Sequence, residues 1–138
     1  MNAKPFLDTN VILYLLSGDM TKANRVEAVL AQGGTISVQV LNEAMNVMTK
    51  KLKMGLDEAC DVLAGIRYAC EVQPVTIETH DQALDIMRRY GFSIYDSGIV
   101  AAAAGAGCTT LYSEDLQDGQ RIGPGLTITN PFKQASHK

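Results

Sequence analysis

Phe6-Leu7-Asp8-Thr9-Asn10-Val11, close to the start of the chain, encloses an acidic residue between two apolar segments. The apolar pair before Asp8 predicts the end of a strand spanning residues 4–7, and the apolar run after Asn10 predicts a helix spanning residues 11–16. Asp, Thr and Asn are common turn and helix-cap residues, which is the simplest interpretation of this stretch. A carboxylate enclosed by apolar residues, however, seldom stays charged without a partner. We therefore favour a functional role for Asp8.

Strands and helices are predicted to alternate along the rest of the chain. The predicted strands span residues 4–7, 35–36, 72–77, 109–112 and 126–129, and Pro74 interrupts the third of them. The predicted helices span residues 11–16, 21–31, 37–53, 57–70, 81–90 and 97–105. Gly33 and Gly34 are expected to stop the second helix, and Thr79 with Gln82 forms a capping-box pattern. This alternation predicts an α/β fold with a mostly parallel sheet that helices cover on both faces.

The chain has 138 residues, of which 46% are hydrophobic, and a formal net charge of -3. This composition predicts one compact domain at residues 1–132, followed by a flexible polar tail at residues 133–138. The charge argues against a strongly basic nucleic-acid-binding protein, but not against an enzyme that grips RNA locally. The apolar run near the start is too short and too polar to span a membrane, and the three cysteines lack disulfide or metal-site spacing. We therefore expect a cytoplasmic protein.

Three further acids stand near the ends of predicted elements: Glu43 in the helix after Thr35-Ile36-Ser37, Asp96 in Ile94-Tyr95-Asp96-Ser97-Gly98, and Asp115 in Leu111-Tyr112-Ser113-Glu114-Asp115. In parallel sheets ligands bind beyond the carboxyl ends of the strands, where Asp8, Asp96 and Asp115 are expected. Gathered carboxylates repel one another and need a cation, and hard divalent metals prefer oxygen ligands. Two such metals about 3.5–4 Å apart serve many phosphodiester-cleaving enzymes. If these acids converge, they predict a metal site.

Each of these acids also has a simpler interpretation. Asp96 forms a capping-box pattern with Ser93, and the helix dipole stabilises an acid there. Glu43 lies at the border of a core stripe and shares a polar row with Gln39, which is typical of a solvated helix face. The fourth acid lies in an acidic loop at residues 114–118, and its spacing does not show which of the three carboxylates there would bind a metal.

Taken in order, four motifs resemble the PIN domain, and most closely the VapC-type toxins of bacterial toxin–antitoxin pairs. The motifs are Phe6-Leu-Asp-Thr-Asn-Val11, an acid early in the helix after Thr35-Ile-Ser37, Tyr95-Asp-Ser-Gly-Ile-Val-Ala101, and Leu111-Tyr-Ser-Glu-Asp115. The resemblance covers nearly the whole chain, and the ordered set is more specific than any single motif. It implies a three-layer α/β/α PIN-like fold with a mostly parallel central sheet.

The resemblance also implies a site and an activity. By motif, the metal ligands are Asp8, Glu43, Asp96 and Asp115, with Asp118 as an alternative to the last, and the supporting residues are Thr9 and Asn10, which would orient Asp8, and Ser113. The cofactor would be Mg²⁺ or Mn²⁺, and the activity would be endonucleolytic cleavage of RNA by a metal-activated water. The partners would be a tRNA or rRNA substrate and a cognate antitoxin, and the chain would form a homodimer. The densest basic group available to RNA is Lys50, Lys51 and Lys53, although a solvated helix end favoured by the dipole is the better explanation for any one of these lysines.

Other functions fit the motifs less well. A haloacid-dehalogenase-type phosphatase needs a second Asp two positions after the first, where this chain has Asn10. A response-regulator receiver needs a phosphoacceptor after a central strand and a late Lys, and neither is evident. The remaining alternative is a catalytically silent PIN-like module that binds RNA or protein, and the presence of all four acids argues against it.

Overall fold

The computed structural model describes residues 3–133 and contains one sheet with helices on both faces. The strands within this range are β1 (Phe6–Leu7), β2 (Gly34–Ser37), β3 (Cys70–Gln73), β4 (Thr110–Tyr112), β5 (Arg121–Ile122) and β6 (Leu126–Thr129). The helices are α1 (Thr9–Leu13), α2 (Met20–Ala31), α3 (Val38–Lys50), α4 (Leu56–Ala69), α5 (Ile77–Tyr90) and α6 (Ile94–Gly105), and a 3₁₀ helix at Tyr14–Leu16 follows α1.

The strand order is β3-β2-β1-β4-β6-β5, and every neighbouring pair is parallel except β5–β6. Because crossovers between parallel strands are right-handed, the steps from β1 to β2 and β3 place α1 to α4 on one face. The return to β4 places α5 and α6 on the other face. The helix contacts agree, since α3 packs on α1 and α4, whereas α5 packs on α6. The expected three-layer α/β/α fold with a mostly parallel sheet is confirmed.

The central strand β1 lies between β2 and β4, and both of its residues are fully buried. From β1 the chain adds β2 and β3 on one side of the sheet, and it then returns to add β4 on the other side of β1. The crossovers on the two sides of the boundary between β1 and β4 run over opposite faces of the sheet. Such a boundary opens a crevice at the carboxyl ends of the strands. The N–H of Asp8, directly after β1, donates to the carbonyl of Tyr112 at the end of β4 over 2.9 Å. The fold therefore brings the segments after β1 and β4 together at this crevice.

The helix α6 is the buried apolar helix that the Ala-rich run predicts. Its residues from Ile99 to Ala103 are all buried, and α6 contacts both β2 and β4. The helix begins at Ile94 and not at Ser97, because Ser93 caps it by accepting a hydrogen bond from the Asp96 N–H at 3.0 Å. The capping interaction between Ser93 and Asp96 was predicted, and it places Asp96 in the first turn.

The third strand and the following helix differ from the sequence prediction. The strand β3 occupies residues 70–73 and not 72–77, because Pro74 lacks the N–H that would continue the ladder. The helix α5 then begins at Ile77, and its capping box joins Thr76 to Thr79. The predicted pairing of Thr79 with Gln82 is wrong by one turn, since Thr79 is the third residue of the helix and not its cap.

Gly33 and Gly34 serve two different purposes. Gly33, just after α2, has a φ of +92°, a left-handed conformation that favours glycine. Gly34 is instead the first residue of β2, and a Cβ there would lie 2.6 Å from Cδ1 of Leu7. The prediction that both residues only stop the helix is therefore wrong for Gly34, which makes room for a core side chain.

Four further points concern the other parts of the chain. The strand β5 lies in a segment predicted to be a loop, because two residues are too few to show an alternating pattern. The helix α3 ends at Lys50 and not at Lys53, whose φ of 58° is left-handed. No helix within residues 3–133 is both long and apolar enough to pass through a bilayer. The predicted tail at residues 133–138 lies outside the described residues, apart from Lys133.

Candidate metal centre

The four acids singled out in the sequence come from four segments and lie within electrostatic range of one another. Asp8 follows β1, Glu43 lies in α3, Asp96 lies in the first turn of α6, and Asp115 lies in the loop after β4. The charges of Asp96 and Asp115 both raise the pKa of Asp8, and the charges of Asp115 and Glu43 both raise the pKa of Asp96. The structure therefore brings the predicted acids together at the crevice between β1 and β4.

Asp8 is the most buried of the four, with 6% of its surface exposed. One carboxylate oxygen accepts the N–H of Thr9 at 2.7 Å, and the other accepts the hydroxyl of Ser113 at 2.8 Å. The pKa of Asp8 is raised to about 6, mainly by burial and in addition by the charges of Asp96 and Asp115, while these two hydrogen bonds act in the opposite direction. Ser113 is fully buried, and its hydroxyl, which was expected beside Asp115, contacts Asp8 instead.

Glu43 is half-buried and held by two side chains, so its interpretation as part of a solvated face is wrong. The Thr9 hydroxyl donates to one carboxylate oxygen at 2.6 Å, and the Gln39 side-chain amide donates to the other at 3.1 Å. Thr9 was expected to orient Asp8, and its backbone N–H does bond to that carboxylate. Its hydroxyl connects α1 to Glu43 on α3.

Gln39 and Gly98 form a pair that the sequence interpretation did not recognise as functional. The Gln39 amide also donates to the carbonyl of Tyr95 at 2.8 Å, which ties Glu43 to the first turn of α6. A Cβ on Gly98 would collide with Oε1 of Gln39. The signal available in the sequence was a glycine inside an otherwise strong helical pattern, which often marks a close approach.

Asp96 is both a helix-cap partner and a member of the cluster. Its N–H donates to Ser93, and its carboxylate is partly buried beside the other acids. Burial is the main cause that raises the pKa of Asp96, the charges of Asp115 and Glu43 add to it, and a hydrogen bond with Ser93 opposes them. The two interpretations of Asp96 are therefore compatible.

In the acidic loop after β4, two of the three carboxylates already have cationic or backbone partners. Glu114 accepts hydrogen bonds from Lys22 and Tyr14, which lower its pKa. Asp118 accepts the backbone N–H of Asn130 at 2.7 Å and pairs with Lys133 at 3.4 Å, and these contacts lower its pKa.

Asp115, in contrast, is exposed, and the side-chain amide of Asn10 donates to it. Asn10 was expected to orient Asp8, yet it contacts Asp115. Of the three acids in the loop, Asp115 is the one whose charge acts on Asp8 and Asp96. These charge interactions therefore favour Asp115 over Asp118 as the fourth acid.

The cluster has the chemistry of a divalent cation site. Its donors are carboxylate oxygens, which Mg²⁺ and Mn²⁺ prefer. The ion pairs found within residues 3–133 join Lys22 to Glu114, Arg88 to Asp85, and Lys133 to Asp118, and none includes a member of the cluster. No three Asp, Glu, His or Cys side chains of the described residues already lie close enough to share an ion. The oxygen donors and the negative charge of the cluster fit a cation. The carboxylates of Asp8, Glu43 and Asp115 are instead hydrogen-bonded to neighbouring groups, so they are not arranged around a common point.

The predicted basic group lies away from the cluster. The helix α3 begins at the crevice after β2, so Lys50 at its end lies about 10 Å beyond Glu43 along the helix axis. Lys50, Lys51 and Lys53 are all exposed. The solvated helix end is therefore the better interpretation of these lysines.

Comparison with solved structures gives neighbours that share the fold. A toxin–antitoxin complex from Klebsiella pneumoniae has a TM-score of 0.69 at 20% identity, covering 92% of this chain and 97% of that chain. VapBC2 from Rickettsia felis, bound to a DNA fragment from its promoter, has a TM-score of 0.65 at 19% identity, covering 89% and 95%. The sarcin–ricin loop-cleaving toxin VapC20 of Mycobacterium tuberculosis has a TM-score of 0.63 at 21% identity, covering 80% and 88%.

Comparison with curated protein sequences gave no match. The PIN domain family model, in contrast, matches residues 6–118. The matched segment runs from the first residue of β1 to the acidic loop after β4, so it contains all four acids of the cluster. The fold and this match agree, and the chain belongs to the PIN domain family.

Proposed function

We propose that this protein is a divalent-metal-dependent endoribonuclease and the toxin of a toxin–antitoxin pair. The observation that carries the proposal is the position of Asp8, buried at the crevice between β1 and β4, among acids of the same charge. Keeping a buried carboxylate ionised beside other carboxylates is unfavourable unless a cation compensates it. Membership of the PIN domain family and the toxin–antitoxin neighbours support the same function.

In this proposal Asp8, Glu43, Asp96 and Asp115 hold Mg²⁺ or Mn²⁺. When bound, such an ion supplies an activated water and offsets negative charge on the phosphodiester oxygens. The chain itself sets the positions of the carboxylates. Thr9 connects Asp8 to Glu43, since its N–H and hydroxyl bond to one each. The buried hydroxyl of Ser113 holds Asp8 from the side of β4.

The proposed partners follow from the neighbours. Complexes of a toxin with its antitoxin are among the structures most similar in fold, and we extend that association to this chain. We propose that a cognate antitoxin covers the crevice and that the toxin acts as a homodimer on tRNA or rRNA in the cytoplasm. A short neighbouring reading frame that encodes a DNA-binding protein would support the antitoxin.

The function can be tested by incubating antitoxin-free protein with tRNA and rRNA in Mg²⁺, in Mn²⁺ and in EDTA. We expect cleavage only with metal, leaving a 5′-phosphate and a 3′-hydroxyl that sequencing of the RNA ends would identify. Asp115→Asn should lose at least about 100-fold of the activity, because a metal ligand is removed. Asp118→Asn is the matched control, since it lies in the same loop and keeps its acceptor for the Asn130 N–H.

Two outcomes would contradict the proposal. Equal cleavage in EDTA would exclude metal-dependent chemistry. Binding of RNA without cleavage by protein that does bind metal would identify a catalytically silent module.

A further inference from the structure

Lys22 in α2 lies at the centre of a contact network beside the proposed metal site. Its ammonium pairs with Glu114 at 2.5 Å and lies 3.2 Å from the Tyr14 hydroxyl. The Tyr14 hydroxyl donates to the second oxygen of Glu114 at 2.6 Å. The ammonium also lies over the rings of Tyr14 and Phe132, at 4.5 Å and 5.0 Å from their centres. We call Lys22, Tyr14, Glu114 and Phe132 the Lys22 clamp.

The clamp joins elements that are distant in sequence. Tyr14 belongs to the 3₁₀ helix after α1, and Tyr14 and Phe132 pack edge-to-face with ring centres 4.9 Å apart. The side chains of Lys22 and Glu114 are 27% and 26% exposed, so water screens this pair less than a surface ion pair. Charge-assisted hydrogen bonds of this kind are shorter and stronger than neutral ones. Glu114 is therefore held in one place.

Asp115 depends on this arrangement because it follows Glu114 directly. The two preceding side chains are anchored, Ser113 to Asp8 and Glu114 to the clamp. Asp115 itself is exposed, and its recorded side-chain contact is with Asn10. Ser113 and Glu114 therefore hold the backbone from which the Asp115 side chain extends, and the Asn10 amide holds the carboxylate at its end.

We propose that Lys22 is a positioning residue that, by fixing Glu114, directs Asp115 toward the metal. This inference rests on the proposed metal-dependent function. It also assigns Glu114, whose role the sequence left open, to the support of Asp115. The Lys22–Glu114 pair carries no net charge. The clamp therefore holds Glu114 in place without adding uncompensated negative charge next to the four acids.

The charge-neutral double variant Lys22→Met/Glu114→Gln tests this proposal. Removing Lys22 alone would also release a carboxylate beside the site, which could itself attract metal. The double variant removes the clamp and keeps the local net charge. We expect the Kd for Mn²⁺, measured by calorimetry, to rise about 10-fold, the lower end of the effect seen when a direct partner of a metal ligand is lost, because the clamp acts on Asp115 through the backbone. At saturating Mn²⁺ the cleavage rate should stay within about threefold of the wild type, because the ligands themselves remain.

Two further variants complete the design. Arg25→Met is the matched control, because Arg25 lies one turn further along α2 and binds the Pro131 carbonyl at 3.0 Å without contacting Glu114. Its Mn²⁺ affinity should equal that of the wild type. Tyr14→Phe keeps the ring packing and removes one hydrogen bond to Glu114. It should weaken Mn²⁺ binding by about threefold, and it provides a test even if the double variant does not fold.

The outcomes separate this inference from the proposed function. A double variant or Tyr14→Phe variant that binds Mn²⁺ as tightly as the wild type would overturn the positioning role alone. An equal loss of affinity in Arg25→Met would show that any disturbance of α2 is sufficient, and would overturn it as well. A wild-type protein that binds no divalent metal would overturn the proposed function, and the inference with it.

Discussion

Replacing Asp8 by Asn should stabilise the metal-free protein, although it removes a proposed metal ligand. Asp8 is buried and its pKa is raised from 3.8 to about 6, mainly because burial disfavours the charged form. The difference between these two values, at about 1.4 kcal/mol per pKa unit, corresponds to roughly 3 kcal/mol when Asp8 is fully ionised. Asn can accept the Thr9 N–H with its oxygen and donate its amide to Ser113, so the local hydrogen bonds have a neutral replacement.

The stability that Asp8→Asn gains over the wild type should increase with pH. Because the pKa of Asp8 is higher in the folded than in the unfolded protein, the folded state binds more protons between pH 3.8 and about 6. The stability contributed by protonated Asp8 is complete below pH 3.8 and is lost as the pH rises through about 6. Asp8→Asn should therefore gain most at pH 8 and little below pH 4.

Thermal unfolding in EDTA at pH 8 and at acidic pH would measure this effect. For a chain of this length, roughly 3 kcal/mol corresponds to an increase in Tm of about 10 °C. Asp61→Asn is a suitable control, because Asp61 is exposed on α4 and should change Tm little at either pH. With Mn²⁺ present the difference in Tm between Asp8→Asn and the wild type should become smaller, because metal binding stabilises the wild type more than the variant. A variant less stable than the wild type in EDTA at pH 8, or one with an unchanged Mn²⁺ response, would refute the reasoning.

Three other substitutions probe the same site. Thr9→Val keeps the side-chain shape but removes the 2.6 Å hydrogen bond to Glu43, so metal-dependent cleavage should fall about 10-fold, and unchanged activity would contradict a role for this contact. Gly98→Ala should change Tm little, because the roughly 1 kcal/mol by which alanine favours a helix is offset by the hydrogen bonds that Gln39 loses, yet it should lower cleavage severalfold because the new methyl displaces Gln39 from Glu43. A more stable and fully active Gly98→Ala variant would show that Gln39 is dispensable. Asp96→Asn should relieve the growth defect expected when the protein is expressed alone, and a toxic variant would indicate toxicity without cleavage.

The features predictable from sequence are those that local patterns determine. The alternation of strands and helices predicted the layer architecture, because apolar periodicity and glycine stops act within a few residues. The burial of Asp8 was also predictable locally, since apolar residues flank it on both sides. The capping box before α5 shows the limit of such patterns. Thr79 fits the motif both as the cap of the helix and as its third residue. Because Pro74 ends β3 early, the helix begins at Ile77, and Thr79 becomes its third residue.

The features that sequence left open are those that long-range contacts determine. Glu43 gains its place from the hydroxyl of Thr9, which lies 34 residues earlier. The choice of Asp115 over Glu114 depends on Lys22, which lies 92 residues before Glu114 in the chain. No periodicity within the acidic loop could carry that information, because all its acids look alike until their partners are known.

The central position of β1 also determines when the site can form during synthesis. β1 is made first, yet β4, one of its two neighbours in the sheet, is made much later, and Asp8 and its partner Ser113 are 105 residues apart. On a ribosome-bound chain that has not yet released β4, Asp8 lacks Ser113, and Asp115 is absent. Pairing across so long a separation also slows folding. The proposed metal site can therefore form only after the acidic loop that carries Asp115 has left the ribosome.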